Sequence, residues 1–277
     1  MKKIHRIVIT GGHCAGKASA IAKVGTRLFE NGYKFFVVSE ISTENSNNGN
    51  WFTDITYNEA TLQTGEKVVI IYDKDEIDST DVHLEHNIDG HICFERYDNS
   101  TDLNEKISSV EKEVLAIIGL PVPTGCEKLY YIEQPNIQQL RHVAKIFESH
   151  SVQTLLHPYK RGFERWVKKS VQNGNDAYFY IEKRTVANGK RVNSERLISK
   201  YKYQEFLIKR SDRVTPIEKS KYCFIWNNMY FEIDLYRVWD RCPMKITLTE
   251  GQTPQDINLP EPIKVAREFM ERQAQSN

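Results

Sequence analysis

The stretch Gly11-Gly12-His13-Cys14-Ala15-Gly16-Lys17-Ala18-Ser19 places two glycines and a lysine at the spacing G-x-x-x-x-G-K. It follows an alternating β-branched run and precedes a helical pattern, the context in which this spacing binds phosphate. The glycines let successive backbone N–H groups converge on an anion, and a helix beginning near Lys17 adds its partial positive end. Lys17 would reach the β- and γ-phosphates as a point charge. One position departs from the pattern. The hydroxyl that should hold Mg²⁺ is replaced by Ala18, which has no oxygen, and Ser19 lies roughly 100° further round a helix. The spacing therefore suits a nucleotide such as GTP or ATP while its Mg²⁺ ligand is missing. The plain alternative is an ordinary glycine-rich strand-to-helix turn.

A second candidate is Asp73, which ends the apolar run Lys67-Val68-Val69-Ile70-Ile71-Tyr72-Asp73. An acid at the end of a strand beside the loop strand is where the Mg²⁺ shell is commonly held. Strand ends also carry Asp as a helix cap or turn residue, so both roles stay open. A third set is Glu232 and Asp234 in Met229–Tyr236, a strand pattern that puts Tyr230, Glu232, Asp234 and Tyr236 on one face. Those acids, with Lys and Arg from other strands, could line a polar tunnel in a closed antiparallel barrel. Periodicity alone favours a sheet with a solvated outer face. His83, His86 and His91 have metal-like spacing but fall in a loop-rich segment, and read as surface residues.

The elements that must position these residues fall into two halves. Residues 1–120 alternate strands and helices, which predicts a small parallel-sheet α/β domain. Strands are expected at 4–10, 34–40, 67–73 and 90–96. Helices are expected over 20–29, ending at Asn31-Gly32, and over 102–118, ending at Gly119. Pro121-Val122-Pro123-Thr124-Gly125 reads as a linker. Residues 126–277 predict an antiparallel α+β domain. Its strands lie at 128–133, 163–170, 177–184, 191–197, 222–226, 229–236 and 245–250. Turns are expected at Asn173–Asp176, Ala187–Lys190 and Asn227-Asn228. Helices are expected over 136–148, 202–209 and 261–273.

Composition excludes some classes. The 277 residues carry 38 Lys and Arg against 37 Asp and Glu, which gives no global attraction to nucleic acid. The five cysteines are scattered and odd in number, which suits a reducing compartment rather than a disulfide framework. No apolar run is long enough to cross a bilayer, and no import or secretion signal is visible. The expected location is cytoplasmic.

Several segments together resemble the TRPL-translocation-defect family: GGHCAGKA after IHRIVIT, VVIIYD, GCEKLYYIEQP, YCFIWNNMYFEIDLYR and INLPEPIKVARE. The resemblance implies a P-loop NTPase/kinase-like domain followed by a CYTH-like (triphosphate tunnel) β-barrel. It implies nucleotide binding, phosphoinositide or polyphosphate ligands, and a place at membrane surfaces in trafficking. Gly11, Gly12, Gly16 and Lys17 match the phosphate loop, and Asp73 the acid of the second nucleotide motif. Arg165, Lys168 and Lys169 fall in the family's basic strand, with Lys183 and Arg184 on the next strand as further phosphate ligands. Glu232 and Asp234 fall near its metal-binding acids. Departures are Ala18 for Thr, shortened lid segments, Val167 for an Arg and Glu195 for a Lys. Of the Glu-x-Glu-x-Lys of tunnel enzymes, Glu133 alone is kept.

Three functions compete. A degenerate, non-catalytic nucleotide- and phosphate-binding adaptor is the reading the residues favour. A structural subunit of a larger protein assembly would also keep both folds while losing ligands. A metal-dependent triphosphatase or P-loop phosphotransferase needs carboxylates to hold divalent ions, and too few remain.

Overall fold

Ile4 to Thr10 is rich in β-branched residues, with Ile7-Val8-Ile9 consecutive, and β1 (Lys3–Thr10) forms there. The computed structural model describes residues 3–11, 15–39, 67–74, 88–94, 103–158, 162–185, 191–236 and 241–268. The expected loop at 42–50, the turn at Ala187–Lys190, and Gly12, His13 and Cys14 lie outside these residues. The chain divides into two compact units, Met1–Leu120 with Val152–Ile217 and Pro121–Ser151 with Glu218–Asn277.

In the first unit, β1, β2 (Lys34–Ser39), β3 (Lys67–Lys74) and β4 (Gly90–Cys93) form a parallel sheet in the order β2-β3-β1-β4. The apolar runs of β1 and β3 are buried, as strands covered on both faces must be. Helix α1 (Ala15–Glu30) turns Ile21, Val24 and Leu28 into the core. It stops at Gly32, whose φ of +76° is the left-handed conformation that closes a helix. Helix α2 (Leu103–Ile118) ends in the same way at Gly119, φ +73°. Its buried face is Val110, Val114, Leu115 and Ile118, while Leu103, Ile107 and Ile117 pack at the margin.

The rest of this unit is antiparallel. Strands β7 (Phe163–Gln172), β8 (Asn175–Thr185) and β9 (Arg191–Leu197) pair in sequence. Asn173 and Gly174, φ 49° and 76°, make the two-residue turn between the first two. Ala177, Phe179 and Leu197 join the core that α1 covers, so this core draws on residues beyond 120. The other face carries Val167, Tyr178 and Tyr180 under Tyr203 of α4 (Lys200–Leu207), the helix expected at 202–209.

In the second unit, β5 (Pro123–Glu133) pairs with β12 (Arg241–Thr249), which pairs with β11 (Met229–Tyr236), which pairs with β10 (Ile217–Trp226). Asn227 and Asn228, φ 47° and 61°, form the hairpin between β10 and β11. Phe224, Phe231, Ile233, Met244 and Ile246 make this unit's core with Leu140 of α3 (Ile137–Val143). With β6 (Phe147–Leu155) and β13 (Val265–Glu268), a nine-stranded antiparallel sheet runs β13-β5-β12-β11-β10-β6-β7-β8-β9. The fold class is thus a small parallel α/β sheet followed by a large antiparallel sheet.

Three expectations are corrected. The helix expected at 136–148 is only α3, and Phe147–Leu155 is a strand whose buried positions Ser149, Ser151 and Thr154 are small and polar, which hides its burial. The linker at 121–125 is strand from Pro123 onward, because Pro123 already pairs with Thr249. The helix expected at 261–273 is the strand β13 over Val265–Glu268. It occupies the backbone edge of β5 that would otherwise stay open. Residues 269–273 lie outside the described residues.

Candidate functional site

In the order β2-β3-β1-β4, β1 leads to a strand on one side of it and β3 to a strand on the other. The crevice at the carboxyl ends of β1 and β3 is therefore the topological switch point, where open α/β sheets bind ligands. Register brings the ends together: Ile9 lies opposite Asp73, and Thr10 opposite both Lys74 and Cys93.

Lys17, in the first turn of α1, sends its ammonium into this crevice. Nζ donates to the carbonyl of Gly11 at 2.6 Å and of Lys74 at 2.9 Å, and stands 2.7 Å from Asp73 Oδ1. Its side chain is 5% exposed and that of Asp73 16%. Asp73 is neither a helix cap nor a turn residue, since β3 continues through it to Lys74.

The two described glycines of the motif have steric duties. Gly11, at φ +141°, faces the Phe94 carbonyl, whose oxygen would stand 2.2 Å from a Cβ there. At Gly16 a Cβ would meet Leu103 Cδ1 at 2.6 Å and Phe94 Cζ at 2.8 Å, so the start of α1 lies close on Phe94. Phe94 is held in turn by its N–H, which donates to Thr10 O at 2.7 Å. Ala18 and Ser19 follow in α1, and of Ala15 only the backbone is described.

Among the described residues the side-chain oxygens that a nucleotide site commonly offers Mg²⁺ are reduced. Ala18 offers none, and Asp73 is engaged by an ammonium. Among the described residues no three His, Cys, Asp or Glu side chains converge on one point.

The expected phosphate ligands of β7 and β8 do not converge. Residues opposite one another share a face, so Lys168 and Lys183 lie on the face of Phe179 and Glu195, and Arg165, Lys169 and Arg184 on the face of Tyr178 and Glu182. Each has local company. Lys168 pairs with Glu195 and lies 4.0 Å over the Phe179 ring. Lys183 lies 4.9 Å over Trp166. Arg165 donates to the carbonyls of His157 and Pro158 at 2.9 and 3.1 Å. Lys169 meets Asp176 at 2.9 Å, and Arg184 meets Glu182 at 2.7 Å.

These pairs leave an electrostatic trace. Burial raises the pKa of Asp176, but the Tyr178 hydroxyl and the Lys169 ammonium outweigh it and hold the carboxyl below its ordinary value. Glu182 is lowered in the same way, with Arg184 and Tyr180 overcoming burial. Both tyrosines are pushed up, by burial first and by the carboxylate each one faces.

The acids of β11 sit in a ladder of lysines. Asp234 Oδ2 meets Lys219 at 2.6 Å, and Glu232 meets Lys221 and Lys245 at 2.9 Å each. Lys245 also reaches Glu127 at 3.4 Å. The Glu232 side chain is 8% exposed, so this face is not the solvated surface that periodicity favours. Lys219, Lys221 and Lys245 were missed as candidates. The hairpin at Asn227-Asn228 carries the signal, because a two-residue turn there places Lys221 opposite Asp234 and Lys219 opposite Tyr236.

The fold and site define a class: a parallel sheet with a lysine-bearing switch point, joined to an antiparallel sheet with a lysine–carboxylate ladder. No protein-family model matches the sequence, and no curated protein matches it. Among solved structures, the chain is similar to an inorganic triphosphatase at 15% identity over 55% of this chain and 90% of the other, TM-score 0.35. A Pyrococcus horikoshii protein matches at 15% identity over 46% of this chain and 80% of the other, TM-score 0.34. A conserved hypothetical protein of Pyrococcus furiosus matches at 11% identity, 47% and 82%, TM-score 0.29. No helix among the described residues is long and apolar enough to cross a membrane.

Proposed function

We propose that this chain is a phosphate-ligand-binding adaptor that takes GTP or ATP at the switch point and does not turn it over. The observation that carries the reading is the Lys17 ammonium at the carboxyl ends of β1 and β3, beside Gly11 and Gly16 of the motif. The absence of turnover follows from Ala18, which lacks the Mg²⁺ ligand, and from Asp73, which serves an ammonium. The lysine ladder of Lys219, Lys221 and Lys245 is the second proposed anion surface, for a polyphosphate or a phosphoinositide headgroup. A role in membrane trafficking belongs to this proposal. Calorimetric titration with GTP and ATP, with and without Mg²⁺, tests it: binding that Lys17→Ala abolishes supports the reading, and absence of heat with both nucleotides overturns it.

A second reading, a structural subunit of a larger assembly, is favoured by one observation. Packing against Phe94 accounts for Gly11 and Gly16 without any ligand. A stoichiometric complex on native purification, from a protein that binds no nucleotide, would decide for it. Phosphate release from ATP, GTP or tripolyphosphate that Asp234→Ala abolishes would instead restore an enzyme.

A further inference from the structure

We infer that Asp73 is the counter-ion that holds Lys17 shut, so that the loop's ligand is a metal-free phosphate group which must displace the Asp73 carboxylate. This inference rests on the nucleotide-binding reading above and specifies the ligand state of that same site. An ammonium has three N–H donors and no more. At Lys17 three protein oxygens surround it within hydrogen-bonding distance: Gly11 O at 2.6 Å, Asp73 Oδ1 at 2.7 Å and Lys74 O at 2.9 Å.

A phosphate oxygen reaching Nζ must therefore replace one of them. The two carbonyls belong to strand-end backbone. Gly11 is fixed by its approach to Phe94 and Lys74 by its pairing with Thr10. Of these three, the Asp73 side chain is the one that can swing away by rotation about its own bonds. It is also the partner an incoming phosphate repels, because two anions beside one cation in a buried crevice disfavour each other. In a metal-loaded nucleotide site this acid gains from Mg²⁺ standing between it and the phosphates. Here Ala18 removes the companion ligand, and among the described residues no three His, Cys, Asp or Glu side chains gather to replace it. Asp73 and the ligand therefore compete for Lys17.

The effect of removing the carboxylate is opposite to that expected of a metal ligand. Asp73→Asn keeps the shape and removes the competing charge, so affinity for ATP or GTP in EDTA rises by about tenfold or more. The wild type gains nothing from Mg²⁺, and Lys17→Ala and the double variant bind nothing. Wild-type binding that Mg²⁺ strengthens and that Asp73→Asn weakens overturns the inference while leaving the nucleotide-binding reading intact. No binding by either the wild type or Asp73→Asn overturns that reading and the inference with it. If Asp73→Asn does not fold, the Lys17 ζ-nitrogen resonance of the ¹⁵N-lysine-labelled wild type decides, assigned as the signal missing in Lys17→Arg. It moves on addition of metal-free ATP if the latch opens; binding of ATP with that signal unmoved overturns the inference.

Discussion

Gly11 lies close against Phe94: a Cβ on Gly11 would stand 2.2 Å from the Phe94 carbonyl oxygen. The first glycine of the phosphate-loop pattern is thus required by the fold, whatever the loop binds. The same motif can serve packing and ligand together, and the two duties separate only by experiment.

Gly11→Ala is expected to cost about 2–4 kcal/mol, from the collision and from a φ that L-residues rarely adopt. Chemical denaturation measures it. A change within the error of the wild type would mean that β1 and Phe94 separate easily.

Glu111 is 2% exposed and joins α2 to α1, with its carboxylate 3.2 Å from Arg27 Nε and 2.9 Å from Lys23 Nζ. Glu111→Ala leaves the buried Arg27 without this counter-ion and is expected to lose about 3 kcal/mol or more of stability. Truncating the far more exposed Lys23 is expected to cost less than 1 kcal/mol. Equal losses for the two would show that the buried pair has no special weight.

Asp176 gives a pH dependence of defined sign. Its carboxyl is lowered in the folded state, so the unfolded chain binds the proton first as pH falls. The contribution is complete above the unfolded value of about 3.9 and is lost as pH drops through the folded value. Asp176→Asn should flatten the acid side of a stability-against-pH curve by about 0.5–1 kcal/mol, a surface-type value. An unchanged acid limb would contradict the Lys169 and Tyr178 pairing.

Burial pushes the Cys242 thiol up to about 11, whereas Cys93 and Cys126 are exposed. At pH 8 a thiol reagent should modify Cys93 and Cys126 promptly and Cys242 only after unfolding. Mapping of modified peptides reads this directly. Labelling of Cys242 at the rate of Cys93 would contradict the packing of β12.

Much of this fold could be read in advance where one physical rule dominated. The apolar β3 run, the Gly32 and Gly119 helix stops and the Asn227-Asn228 hairpin follow from burial and from left-handed backbone needs. β13 is not legible locally because Val265–Glu268 joins the sheet by pairing with the distant β5, and β6 lies between the next strand β7 and the distant β10. At the site, grouping the basic residues by composition hid their parity. Lys183 and Arg184 are adjacent in a strand and must point to opposite faces, and the same holds for Lys168 and Lys169. The two departures from the family pattern also have structural reasons. Val167 is 0% exposed in the core beneath α4, where an arginine would be buried, and Glu195 neutralises Lys168.

The most direct measurement is calorimetric titration of wild type and Lys17→Ala with GTP and with ATP, in EDTA and then in Mg²⁺. Nucleotide binding that needs no metal and disappears in Lys17→Ala is the predicted result. No heat with either nucleotide, in the presence or absence of metal, would contradict a phosphate site at the carboxyl ends of β1 and β3.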